Sequence, residues 1–240
     1  MSESTPLVSA DHLFYEVLGK SLLADISFSL APGSWLAVLG ENGAGKTTLL
    51  DLLMGFKKPS RGTVNVFSHP PFSDRATDRQ KIGYLSEKVD IPGDWSVGEF
   101  LSFNSHFYPG YDFALEAELS RVFRVSRESR VGNLSAGEIR RAQIVAALSF
   151  RPALILIDEI TAVLDIVGRR KLLKVLNELR HDGTSIIFAT NILEGLHGNL
   201  TDILLLQAGK LKAPNEIRLA LTSSSEAQFF DQVADALESP

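Results

Sequence analysis

The stretch "GENGAGKTT" contains the residue types and spacing most suited to chemistry in this 240-residue sequence. It fits the pattern G-x-x-x-x-G-K-[ST], in which glycines let successive backbone N–H groups turn inward around a phosphate. The start of a following helix would add partial positive charge. A glycine-rich turn without a ligand is the alternative. The stretch therefore predicts a phosphate-binding loop made of Gly40, Glu41, Asn42, Gly43, Ala44, Gly45, Lys46, Thr47 and Thr48.

The neighbouring segments supply the context that such a loop requires. "WLAVLG" is typical of a buried strand, and a helix is predicted from Lys46 to about Met54. We expect Lys46 to reach the β- and γ-phosphates of a nucleoside triphosphate, which gives it both a binding and a catalytic role. We expect the hydroxyl of Thr47 to take one Mg²⁺ position.

An acidic pair ends a second apolar run, "ALILIDE", at Asp158 and Glu159. In α/β sheets, ligands collect outside the carboxyl ends of the strands. Asp158 is expected to hold Mg²⁺ through water, and Glu159 is the candidate to accept a proton from an attacking water. Taken alone, the segment is also compatible with an ordinary acidic cap. The presence of the phosphate loop favours the metal and base roles.

A third segment, "NLSAGEIRRAQ", predicts a helix with Ser135 and Gly137 at its start. Small polar residues at a helix start bind a phosphate or cap the backbone. In the second interpretation Ser135 is the cap and Glu138, three residues later, completes a capping box. The segment alone favours the cap and leaves the phosphate site open.

The pattern of the whole chain predicts an α/β fold. The apolar runs "ALILID", "SIIFAT" and "DILLLQ" alternate with helices, which indicates a parallel sheet covered on both faces. Leu7–Tyr15 and Leu22–Leu30 favour an antiparallel sheet at one side. Helical periodicity replaces strands from about residue 89 to 150. We therefore expect residues 1–240 to form one domain: a P-loop NTPase core with a mixed parallel sheet, an antiparallel β subdomain, an inserted helical subdomain and a tail from about residue 214.

Composition excludes several classes of protein. The net charge of -5 gives no basic excess for nucleic acid, so no nucleic-acid partner is expected. The absence of cysteine excludes disulfides and thiolate metal sites. The first residues lack the basic and apolar regions of a signal peptide. The apolar runs are far shorter than the ~20 residues that span a bilayer, so we expect any membrane role to be exercised from the surface.

Taken together, "GENGAGKTT", "LSAGE" before "LILIDE", and "TAVLD" after it resemble the motifs of the ATP-binding-cassette (ABC) ATPases. The resemblance covers about residues 7 to 212. It implies ATP and Mg²⁺ as cofactors and a head-to-tail dimer, in which each signature helix faces the nucleotide on the other subunit's phosphate loop. The signature residues expected to contact the partner's ATP are Ser135, Ala136, Gly137 and Glu138.

The sequence departs from the family pattern near these motifs. Ala136 replaces the first glycine of the signature, which we expect to be tolerated if the residue has a negative φ, and Glu138 replaces glutamine. Glu87 replaces the lid glutamine that senses Mg²⁺, and a carboxylate still ligates this metal. Ile160 replaces a proline, with little consequence expected for the chemistry.

A further departure concerns catalysis directly. Asn191 replaces the family's histidine, which contacts the γ-phosphate and orients the attacking water. Asparagine donates a hydrogen bond through its amide but cannot shuttle a proton. We expect slow hydrolysis, or ATP binding with most turnover left to a paired site. His197 is expected to be a surface residue in a helix. Tyr15 is the candidate to stack on adenine, with core packing as its alternative.

The resemblance implies the ATP-hydrolysing subunit of a bacterial ABC transporter. "FYPGYDFALEAEL" and "VGNLSAGEIRRAQIVAALSFRP" resemble exporter ATPases of the peptide and antibiotic-resistance type. Such a subunit lies in the cytoplasm on the inner face of the membrane, with an identical or different second cassette and an integral membrane permease as partners. Two alternatives stand beside it. One is a degenerate cassette that uses ATP for regulation or assembly, and the other is a soluble ABC protein acting on ribosomes or DNA.

Overall fold

The computed structural model describes residues 5–73, 75–86, 90–159, 164–191 and 195–212, together with residues 228, 229, 231, 233 and 235. The strands are β1 (Val8–Val17), β2 (Lys20–Leu30), β3 (Trp35–Leu39), β4 (Arg61–Val66), β5 (Ile82–Leu85), β6 (Leu154–Asp158), β7 (Ser185–Ala189), β8 (Asp202–Gln207) and β9 (Lys210–Lys212). The helices are α1 (Lys46–Met54), α2 (Ala76–Arg79), α3 (Val97–Ser105), α4 (Phe113–Phe123), α5 (Ala136–Leu148) and α6 (Ile166–His181). Glu87 and Ile160 lie outside the described residues, so the expectations for them stay predictions.

The apolar strands form one six-stranded sheet in the order β5-β6-β7-β3-β8-β9. The first five strands in this order are parallel, and β9 is antiparallel to β8. Alternate residues of a strand point to opposite faces, so β3 contributes Trp35 and Ala37 to one core cluster and Leu36 and Val38 to the other. The expectation of a mainly parallel sheet buried on both faces is confirmed.

A separate three-stranded sheet in the order β2-β1-β4 contains the early alternating segments. Both pairings are antiparallel, with Val8 opposite Leu30 on β2 and opposite Val66 on β4. All three of these side chains are buried, and they belong to the cluster that also contains the leucines of α1. The predicted antiparallel sheet is therefore present, and it packs on the helix that follows the phosphate loop.

Between β5 and β6 the chain forms the helices α3, α4 and α5. Each start is explained by a side-chain cap that satisfies otherwise unpaired backbone N–H groups. Ser96 and Ser135 form capping boxes at α3 and α5, and Asp112 accepts from two N–H groups at α4. The helix α3 ends at Ser105, and the residues that follow it form turn hydrogen bonds.

The end of the chain contributes to the core. Residues 228, 229, 231, 233 and 235 are helical, and Phe229 and Val233 are buried. His197 begins a short 3-10 turn rather than the expected helix, and it is half-buried, with its ring 4.6 Å from that of Phe229.

Among the described residues, no helix combines the length and the apolar character needed to cross a membrane.

Candidate functional site

The predicted phosphate loop connects β3 to α1 at the carboxyl edge of the parallel sheet. Two of its glycines are required by close packing. A Cβ at Gly40 would collide with the carbonyl oxygen of Leu206, and one at Gly45 would lie 2.7 Å from a methyl group of Leu23. Gly45 also has a φ of 109°, in the left-handed region that disfavours larger residues. The loop is therefore held tightly against the sheet, and α1 begins at Lys46 as predicted.

Lys46 is buried in this loop, with only 5% of its surface exposed. Its ammonium group donates to the carbonyl oxygens of Gly40 at 2.6 Å and Glu41 at 3.2 Å. It also donates to Oδ1 of Asn191 at 2.7 Å and lies 3.2 Å from Oε1 of Glu159. An ammonium group has three protons to donate, so oxygen atoms of the protein fully engage it.

Thr47 and Asp158 meet beside this lysine. The Thr47 hydroxyl donates to Oδ1 of Asp158 at 3.2 Å, and the carboxylate is buried, with 1% of the residue exposed. A hydroxyl and a carboxylate held together are hard oxygen ligands of the kind that Mg²⁺ prefers. The donor set of these two side chains therefore fits the metal position that the sequence predicts.

Glu159 directly follows β6 and has an unusual backbone. Its φ is 49°, in the left-handed region, and its N–H donates to the carbonyl oxygen of Ala189. Oε1 is buried and accepts no hydrogen bond from the described residues, although the Lys46 ammonium lies 3.2 Å away in an ion pair. A buried carboxylate oxygen with accepting capacity left suits a general base that must bind a water molecule.

Asn191 lies at the end of β7 and bridges two residues of the phosphate loop. Its Oδ1 accepts from Lys46, and its Nδ2 donates to Oδ1 of Asn42 at 3.0 Å. The sequence predicts a phosphate-facing role for Asn191, but it gives no sign of the contact with Asn42, because 149 residues separate the two.

The sheet explains why these residues converge. Ala189 on β7 is paired with Asp158 on β6 and with Val38 on β3. The loops that follow these three parallel strands therefore leave the same edge side by side, as ligand sites of α/β sheets require. Residues from three distant parts of the chain thus lie together where the sequence predicts phosphate binding and acid–base chemistry.

The model of the family described as ABC transporter matches residues 23–162, which is more than half of the chain. The chain belongs to the ABC transporter family. It is 32% identical over 218 residues to the energy-coupling factor transporter ATP-binding protein EcfA2 of Methanospirillum hungatei, covering 87% of this chain and 55% of that protein. It is 29% identical over 197 residues to the Nod factor export ATP-binding protein I of Rhizobium leguminosarum, covering 80% and 63%.

Solved structures support the same fold. The ATP-binding subunit of an ABC transporter superposes with a TM-score of 0.84 at 25% identity, covering 95% of this cassette and 99% of that chain. A dimeric cassette bound to ADP and phosphate superposes with a TM-score of 0.76 at 20% identity, covering 86% and 97%. This cassette spans about half the length of the curated relatives it matches, with 55% of EcfA2 and 43% of the ribose import ATP-binding protein RbsA of Pseudomonas putida.

The signature segment of the cassette forms the start of α5. Ser135 is the N-cap, its hydroxyl accepts from the N–H of Glu138, and Oε2 of Glu138 accepts from both the N–H and the hydroxyl of Ser135. These bonds lower the pKa of Glu138, with the serine hydroxyl as the largest cause. Ala136 is the first helical residue and has no positive φ, so its methyl group fits, as expected.

The signature residues and the phosphate loop are separate within one cassette. No hydrogen bond or ion pair among the described residues joins Ser135, Ala136, Gly137 or Glu138 to residues 40–48. The capping interpretation of "LSAGE" is thus satisfied inside the chain. The contact of these residues with the nucleotide of a second cassette stays a prediction.

Tyr15 lies on β1, half-buried against the core cluster of the antiparallel sheet. The Lys57 ammonium lies over its ring, 5.5 Å from the centroid. This position agrees with the core-packing alternative, and the stacking of Tyr15 on adenine stays a prediction.

Sequence reasoning missed one buried charge near the site. Arg140 on α5 is 4% exposed, donates to the carbonyl oxygen of Ser86 at the end of β5, and donates to Oε1 of Gln143 at 3.0 Å. It therefore ties the signature helix to the segment that leads to Glu87. The sequence contained one indication of this burial. Arg140 precedes Gln143 and Ile144 by three and four residues, so it lies on the same face of α5 as these two buried residues.

Proposed function

We propose that this chain binds and hydrolyses ATP as the cassette subunit of a bacterial ABC transporter, acting as a single domain over residues 1–240. The convergence of Lys46, Asp158 and Glu159 at one sheet edge carries the proposal. A purely structural ion pair would not require a strained backbone at Glu159 or an adjacent glycine loop shaped for phosphate.

Each group in the site has its own role in the reaction. Backbone N–H groups of the loop bind the β-phosphate, and Lys46 turns from the protein oxygens to the β- and γ-phosphates. Glu159 takes a proton from water as the water oxygen bonds to the γ-phosphorus, and the bond to the β–γ bridging oxygen breaks to give ADP and phosphate. When bound through Thr47 and Asp158, Mg²⁺ supplies positive charge to the phosphate oxygens.

The second half of the site comes from a second cassette. The start of α5 presents Ser135 and Gly137 with the partial positive charge of a helix N-terminus, which attracts the γ-phosphate of a partner's ATP. ATP then joins the two subunits, and hydrolysis releases them. The solved cassette dimer with ADP and phosphate has the same fold and supports this arrangement.

The work is delivered to a separate integral membrane permease, with the cassette on the cytoplasmic face of the membrane. The relatives include an import protein and an export protein, so their names do not decide the direction of transport. We infer the direction from the sequence of this chain. The segments 107–119 and 131–152 resemble exporter cassettes, and we propose export.

Hydrolysis by the purified chain and two variants tests this function. We expect slow but measurable phosphate release, its loss in Glu159→Gln, and an increase of up to about 10²-fold in Asn191→His, because a γ-phosphate contact is restored. Phosphate release that is unaffected by Glu159→Gln would contradict the assignment. ATP binding without any turnover, also in Asn191→His, would favour the regulatory alternative.

A further inference from the structure

Asn191 makes two hydrogen bonds that the proposed reaction does not use. An ammonium group can only donate, so the Asn191 atom 2.7 Å from Lys46 must be the carbonyl oxygen. The NH₂ group is therefore the one that faces Asn42, whose Oδ1 accepts it at 3.0 Å. The chemistry of the partners fixes the orientation of the amide.

These bonds connect the end of β7 to two points of the phosphate loop, four residues apart. Of the loop glycines, Gly43 and Gly45 lie between those points, and both have positive φ. Among the described residues, no backbone hydrogen bond joins the loop to Asn191, since the backbone of this segment bonds within the loop and to Gly209. The two hydrogen bonds of Asn191 thus form a strap, which holds the side chains of Asn42 and Lys46 in one arrangement while no phosphate is bound.

The strap competes with nucleotide for Lys46. The ammonium already reaches Gly40, Glu41, Asn191 and Glu159, and it must leave some of these oxygens to bind a phosphate. The Asn191 bond is one of the two shortest, and it joins a buried charge to a neutral amide. Breaking it opposes the first step of binding.

We infer that Asn191 is a positioning residue that restrains Lys46 in the nucleotide-free cassette and lowers its affinity for every phosphate ligand, ADP included. This inference rests on the proposed function, because it assumes that phosphate binds at Lys46. It goes beyond the role of Asn191 at the γ-phosphate, since ADP has no γ-phosphate. An asparagine suits the strap because one side chain offers an acceptor to Lys46 and a donor to Asn42 at once.

ADP binding to Asn191→Ala tests the inference by isothermal titration calorimetry. We expect ADP to bind between about threefold and about tenfold more tightly than to the unaltered chain, since one charge-assisted bond no longer competes. Inorganic diphosphate should show the same direction. A merely structural role predicts weaker binding, so an unchanged or reduced ADP affinity would overturn the inference.

Three further variants extend the test. Asn42→Ala removes only the second bond and should tighten ADP binding by a smaller factor, while the double variant should resemble Asn191→Ala, because the two bonds act as a unit. Asn177→Ala, on α6 and away from the loop, is the matched control and should leave ADP affinity unchanged. If Asn191→Ala does not fold, Asn42→Ala decides. Failure of the unaltered chain to bind any nucleotide would instead refute the proposed function.

Discussion

At the scale of single residues, Glu159 combines chemistry with backbone strain. Its φ of 49° is unfavourable for any residue with a Cβ, and its buried Oε1 accepts no hydrogen bond from the described part of the chain. Such strain persists only where surrounding structure imposes it. Here the bond from its N–H to Ala189 fixes the backbone at the point where the base must face the site.

This strain leads to a stability prediction. Glu159→Gly and Glu159→Ala remove the same carboxylate and differ mainly in their tolerance of a positive φ. We expect the glycine variant to be more stable by about 1 kcal/mol, the reverse of the usual order within helices and strands. Urea unfolding of the two inactive proteins measures the difference. A more stable alanine variant would show that Glu159 is not strained in solution.

The sequence was informative about residues wherever a motif fixed their roles. The phosphate loop, Asp158 and Glu159 follow from spacing and strand context, and the structure brings them together. The bond from Asn191 to Asn42 could not be foreseen, because it depends on β7 lying beside β3. The burial of Glu116 was equally hidden, since its partners Tyr111 and Arg127 are joined to it only by the fold.

At the scale of elements, the helices between β5 and β6 depend on charged caps. Glu99 and Glu138 close capping boxes, and Asp112 caps α4 directly. The pKa values of all three carboxyl groups lie below their usual range. The largest cause is a hydrogen bond to Ser96 for the pKa of Glu99 and a hydrogen bond to the backbone of Leu115 for that of Asp112. For the pKa of Glu138 it is a hydrogen bond to Ser135. The helix starts are therefore most stable while these three carboxylates are ionised.

These lowered pKa values determine how the stability of the folded state depends on pH. A carboxyl group with a lowered pKa in the folded state contributes stability above its unfolded pKa and loses it as the pH falls through the folded pKa. We expect the melting temperature to fall as the pH drops below about 4, where these carboxylates become protonated. Circular dichroism melts from pH 7 to pH 3 measure this. The variant Glu99→Gln/Glu138→Gln should be less sensitive to pH, and an identical loss in both proteins would contradict the role of the caps.

At the scale of the whole molecule, two hydrophobic core clusters pack on the two faces of one mainly parallel sheet. The hydrophobic pattern predicted that the apolar strands β6, β7 and β8 are parallel and that β1 and β2 are antiparallel, because strands buried on both faces are apolar throughout and half-buried strands alternate. It did not predict β9, which is antiparallel to β8. It did not predict the order β5-β6-β7-β3-β8-β9, which depends on crossovers between strands far apart in the chain. That order brings the carboxyl ends of β6, β7 and β3 together at the site. The signature lies on α5, and in the described part of the chain no hydrogen bond or ion pair joins it to the phosphate loop.

In the proposed function, the phosphate loop and the start of α5 are two halves of a nucleotide site, and no hydrogen bond or ion pair among the described residues joins them within one chain. The proposed head-to-tail pair of cassettes would join both halves twice, with the same surfaces on each subunit. We therefore expect ATP to bind between the loop of one cassette and the start of α5 of another.

The most direct test is the mass of the Glu159→Gln variant in solution with saturating ATP, by sedimentation velocity. We expect twice the mass of the single chain with ATP and the single mass without it. Adding Gly137→Asp should return the protein to a single chain that still binds ATP, because the new carboxylate suits the first turn of α5 but repels a partner's triphosphate. A single chain in Glu159→Gln with ATP bound, or a dimer unaffected by Gly137→Asp, would contradict the account.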